Sequence, residues 1–134
     1  MPQQVKGEFD VEHTPQAPVE MGDAAVARHS RFDKRFHGPL DAVSVVQMLA
    51  VGTEVPGSAA YVAIERVSGS LQGRNGTFFM QHNGIMDRGA PSLSLSVVPD
   101  SGTGELGGLS GRMAIDIVDG RHFYTFDYSL DEAD

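Results

Sequence analysis

The sequence predicts an all-β chain closed into an antiparallel meander barrel of about eight strands. Three observations predict it. Apolar residues recur at every second position in a series of short runs, the period of a strand with one buried face. Between the runs stand turn-forming pairs, and 16 glycines with 7 prolines supply the punctuation that so many strands require. No segment makes a convincing helix, so sequence-adjacent hairpins are left to wrap around a core, which also removes exposed sheet edges.

In residues 5–12, Val5, Phe9 and Val11 fall on one face and Lys6, Glu8, Asp10 and Glu12 on the other, as in a half-buried strand. Residues 13–26 break that alternation with two prolines and a glycine and predict a long connection folded over one end of the body. From 28 to 38, Phe32 and Phe36 alternate with His29, Arg31, Asp33, Arg35 and His37 in a second strand. Residues 40–52 have the length and Leu, Met and Ala content of a helix, but Val43, Val45, Val46 and Val51 prefer a pleated surface, and strand is expected. Residues 59–71 and 77–87 predict a hairpin around "GRNG" (73–76), because Asn75-Gly76 offers the positive φ angles of a tight turn. "RGAPS" (88–92) is the next turn, and Leu93, Leu95 and Val97 then share one face of a strand. Residues 112–118 and 121–130 form a last hairpin around Asp119-Gly120, and 131–134 are an acidic tail.

Gly102, Gly104 and Gly107 have the G-x-G-x-x-G spacing of a dinucleotide loop. Such a loop works by presenting a helix N-terminus to a pyrophosphate. Here it runs instead into Met113, Ile115 and Ile117, which repeat every second residue. A wide glycine-rich hairpin is therefore expected, and no nucleotide cofactor.

Composition narrows the functional classes. At 134 residues with 40% apolar content, the chain predicts one domain over 1–134 with one core. The absence of cysteine excludes disulfides, thiolate catalysis and cysteine zinc sites. No secretory leader or membrane-length apolar run is evident, so the cytoplasm is the expected compartment and no membrane partner is expected. A net charge of −8 opposes nucleic-acid binding through the surface as a whole. The cluster Arg28, Arg31, Lys34 and Arg35 reads as a solvated strand face opposite Glu8, Asp10 and Glu12. Five histidines with no H-x-H or H-E-x-x-H spacing predict no metal site, and without a G-x-S-x-G elbow no serine hydrolase is expected.

The segments "GSAAYVAIERVSG", "QHNG", "RGAP" and "VVPDSGTGELGGLSG" resemble the bacterial family known as domain of unknown function 3224, and the likeness extends over roughly residues 5 to 130. The resemblance implies a closed antiparallel meander barrel similar to that of allene oxide cyclases. It implies no catalytic residues, because the family has no assigned activity and a shared architecture does not carry function with it.

The inward face of the central hairpin is where chemistry is expected. A four-residue "GRNG" loop sets Leu71 opposite Phe78, Val67 opposite His82 and Glu65 opposite Gly84. Glu65 and His82 are then diagonal neighbours on a mostly apolar face. A two-residue loop keeps the faces but separates the pair further, and a three-residue loop sends them to opposite sides. A carboxylate and an imidazole in an apolar lumen suit acid/base catalysis of the isomerase or cyclase kind; the alternative is that they satisfy each other as a structural pair or that one end reaches solvent at the rim. Tyr61, Glu65, Met80, His82, Tyr124 and Tyr128 are the expected lining of a small-molecule site, with no cofactor. The alternative is a filled barrel that self-associates through an outer face as a homo-oligomer.

Overall fold

In the computed structural model, which describes residues 2–130, nine strands succeed one another along the chain: β1 (Pro2–Pro15), β2 (Val19–Gly22), β3 (Ala25–Phe36), β4 (Leu40–Gly52), β5 (Ala59–Leu71), β6 (Arg74–Asp87), β7 (Ala90–Val97), β8 (Leu109–Val118) and β9 (Arg121–Leu130). They form one antiparallel sheet in the order β1-β9-β8-β7-β6-β5-β4-β3-β2. Pairing of β1 with β3, from Phe9 opposite Phe36 to Pro15 opposite Ser30, closes eight of the strands into a barrel. The ninth, β2, pairs with the start of β3 where β1 has left it. Residues 13–26 are thus mostly strand, where a connection was expected. The acidic tail at 131–134 lies outside the described residues.

Local expectations are corrected at four places, each for a physical reason. The β5–β6 hairpin turns at Gln72-Gly73, where both residues take positive φ (+48° and +85°), and not at Asn75-Gly76. Gly76 serves another purpose: the Thr103 carbonyl occupies the place where its Cβ would stand. The "RGAPS" turn is centred on Arg88-Gly89, with Pro91 already in β7. On β3, Lys34 shares its parity with Phe32 and Phe36 and points inward, so it is not part of a solvated basic face. Arg31 pairs with Asp33 along its own strand (3.0 Å), and Arg35 with Asp41 (2.5 Å), rather than with the carboxylates of β1.

The lumen is packed at one end. Phe36, Leu40, Leu71, Phe78, Met80, Tyr124, Phe126 and Tyr128 are buried there in one cluster. The glycine-rich loop closes that end, with a single 3-10 turn at Gly104–Leu106 and Leu106 almost wholly buried. It runs beside β6 where β7 has ended, through Thr103 N–H to the Thr77 carbonyl (2.8 Å) and Val98 N–H to the Phe79 carbonyl (2.9 Å). The loop's glycines therefore permit close backbone approach: a Cβ on Gly102 would collide with the Leu106 carbonyl.

Tyr124 shows how tightly this end is set. Its hydroxyl donates to the His37 carbonyl (2.8 Å) and accepts from Leu40 N–H (3.1 Å), pinning the β3–β4 turn, while its ring lies against Gly7. A Cβ at Gly7 would stand 2.6 Å from the Tyr124 hydroxyl. Gly7→Ala is therefore expected to destabilise the fold by about 2 kcal/mol through overpacking, measured by urea denaturation.

Candidate functional site

Above the packed half, inward-facing side chains of β3, β4, β5 and β6 bring a buried polar cluster together. Strand alternation points Lys34, Ser44, Glu65 and His82 into the lumen, and all four are buried. The pairing of Glu65 with Met80 and of Ala63 with His82 puts Glu65 and His82 on a diagonal. Leu71 stands opposite Arg74 rather than Phe78, an even offset from the register of a "GRNG" loop, and an even offset leaves every side chain on its face.

Glu65 is the centre. Its Oε1 accepts from His82 Nε2 (2.6 Å) and from Lys34 Nζ (3.3 Å), and its Oε2 accepts from the Ser44 hydroxyl (2.5 Å). Burial pushes the Glu65 carboxyl up, but the His82 hydrogen bond, the charges of Lys34 and His82 and the Ser44 hydrogen bond together hold it below its ordinary value. It is an ionised carboxylate with no exposed surface, so His82 Nε2 carries the proton they share. Lys34 Nζ lies over the rings of Phe9 (4.9 Å) and Phe36 (5.7 Å).

A cavity of about 270 Å³ opens over this cluster, lined by Phe9, Phe32, Met48, Tyr61, Ala63 and Ile115 together with Lys34, His82 and His122. Met48 and Tyr61 also line an adjoining apolar hollow of about 370 Å³ at the barrel mouth. Gly84 positions Tyr61 there, because the phenol ring lies where a Cβ would be, with ring carbon Cδ1 2.9 Å from that point. Burial, and then the negative charge of Glu65, raise the Tyr61 hydroxyl above its ordinary pKa, so it remains a neutral phenol.

Of the expected site residues, Tyr61 and His82 line the cavity, and Glu65 lies beneath them. Met80, Tyr124 and Tyr128 do not reach it. They belong to the packed half, where Tyr128 hydrogen-bonds Gln72 and Tyr124 holds the β3–β4 turn. Sequence reasoning missed Lys34 and Ser44. The available signal was parity: Lys34 keeps step with Phe32 and Phe36, and Ser44 with Leu40, Ala42 and Val46. Among the described residues, no group of three or more His, Cys, Asp or Glu is placed to hold a metal ion, and no helix is long and apolar enough to cross a membrane.

The geometry defines an eight-stranded antiparallel barrel, plugged at one end and hollow at the other, with a carboxylate-oriented imidazole at the base of the hollow. Such an imidazole can hold or move a proton. The chain belongs to the family described as protein of unknown function (DUF3224), which matches residues 5–128. It is similar to a solved protein of unknown function from the same family in Shewanella oneidensis MR-1, with 46% sequence identity and a TM-score of 0.91 over 98% of this chain and 100% of that one. The closed barrel is consistent with the allene oxide cyclase-like architecture that the resemblance implied. No curated protein matches the chain.

Glu65→Gln leaves a buried ammonium without its counter-ion and is expected to destabilise the fold by about 3 kcal/mol at neutral pH. A carboxyl held below its ordinary value of 4.5 contributes stability fully above that pH and loses it as the pH falls through the lowered value. The gap between wild type and Glu65→Gln should therefore narrow as urea denaturation is repeated at successively lower pH below 4.5.

Proposed function

We propose that the open half of the lumen binds one small apolar or amphipathic molecule. The observation that carries this reading is the division of the barrel: one half is filled by side chains, and the other keeps a cavity of about 270 Å³ whose apolar wall surrounds a few convergent polar groups. The wall also supplies a way in. β7 and β8 pair only at Leu95 with Met113 and Ser96 with Arg112, so the two strands part toward the mouth, where Leu93, Ile117 and Val118 are exposed.

Met48 belongs both to the cavity and to the adjoining hollow and is only half-buried, which makes it the place to obstruct the lumen without touching the polar cluster. Met48→Trp is expected to cut the affinity for phenylnaphthylamine, an uncharged apolar fluorophore, by about tenfold while leaving the denaturation midpoint near that of wild type. Wild-type protein that takes up no such probe, with no copurified compound in native mass spectrometry, would refute lumen binding.

Self-association is a second reading, and the outer surface of β4–β6 favours it. Leu49 stands opposite Val62, and Ile64 and Phe79 lie nearby, all exposed on that face. An apolar strip across three strands suits a second copy of the chain. Light scattering of wild type at rising concentration is expected to show a dimer, and Ile64→Lys a monomer; a monomeric wild type would remove this reading.

A further inference from the structure

We infer that the polar end of the lumen's ligand is an oxyanion, a carboxylate or a group of like charge, seated on the Lys34 ammonium beside His82. This rests on the lumen being a binding site. Orientation within the cluster points to it. Glu65 has both oxygens committed, Oε1 to His82 and Lys34 and Oε2 to Ser44, and neither Glu65 nor Ser44 lines the cavity. The residues of the cluster that do line it are Lys34 and His82. The acceptor is thus turned inward and the donors stand in front of it.

The donors also have capacity to spare. An ammonium carries three N–H bonds, and among the described residues Lys34 Nζ meets one hydrogen-bond acceptor, Glu65 Oε1, its remaining partners being the Phe9 and Phe36 rings. Lys34 Nζ and His82 Nε2 touch the same oxygen, at 3.3 and 2.6 Å, so an ammonium and an imidazole N–H converge on one point. Tyr61 adds a neutral phenol to the same wall. The Lys34 ammonium can only donate, so a cationic end would be repelled by it and leave its N–H bonds unpaired on desolvation, whereas an oxyanion accepts them. The apolar lining then takes the body of the molecule.

Two probes with the same ring system isolate the claim: phenylnaphthylamine is uncharged, and anilinonaphthalenesulfonate is the same molecule with a sulfonate added. Wild type is expected to bind the sulfonate about tenfold more tightly than the uncharged compound, and Lys34→Met to abolish that preference, read as the ratio of the two affinities within each variant. Since Lys34→Met removes the counter-ion of a buried carboxylate, Lys34→Met/Glu65→Gln is measured beside it as a variant with neither charge; it is expected to behave alike. Met48→Trp should weaken both probes together, which ties the signal to the lumen. A sulfonate preference that survives in both Lys34 variants overturns the inference while leaving lumen binding standing. Failure of wild type to bind either probe, with no copurified compound in native mass spectrometry, refutes lumen binding and the inference with it.

Discussion

Burying the Glu65 carboxylate imposes a demand that four strands have to meet together. A charge with no exposed surface is tolerated only when its oxygens are hydrogen-bonded and its sign is balanced, and the donors come from β3, β4 and β6, with the carboxylate itself on β5. Any slip by one residue between these strands would turn one donor to solvent and leave the charge unpaired. The cluster therefore couples register to electrostatics across half the barrel wall. It also divides the lumen: below it the side chains are large and apolar and fill the space, and above it they line a hollow.

The closed end obeys a different constraint, close approach of backbone. The loop after β7 lies along β6 in the position a longer strand would have taken, and its contacts leave no room for side chains at Gly76 or Gly102. A glycine pattern that looks like a phosphate cradle is, in this barrel, a plug. The distinction lies in the segment that the glycines lead into: β8 begins at Leu109 with alternating burial, so no helix N-terminus faces a ligand.

Most of the fold was legible in the chain because two-residue periodicity is a local signal. Val5, Phe9 and Val11, or Leu93, Leu95 and Val97, each mark a face without reference to any other strand. The hairpin register was less legible. Gln72-Gly73 and Asn75-Gly76 both offer a residue pair able to take positive φ; the turn forms at the first, and Gly76 instead meets the loop after β7, a contact from a distant part of the chain that local spacing does not record. Glu65 and His82 kept their shared inward face because an even shift preserves faces, and they remained diagonal because the register differs by four residues, which carries His82 from one side of Glu65 to the other. Lys34 was misplaced for a related reason: its charge suggested solvent, while its parity with Phe32 and Phe36 said otherwise, and parity decided.

What the sequence determined by itself was the class of the fold, its strands and the inward face carrying Glu65 and His82, since each arises from spacing along one segment. Only the tertiary structure decided which inward residues meet a cavity and which are packed away. Met80, Tyr124 and Tyr128 share the inward face with Tyr61 and His82 yet sit at the filled end, because height along a barrel axis depends on how eight tilted strands are staggered against one another, a quantity no single strand records.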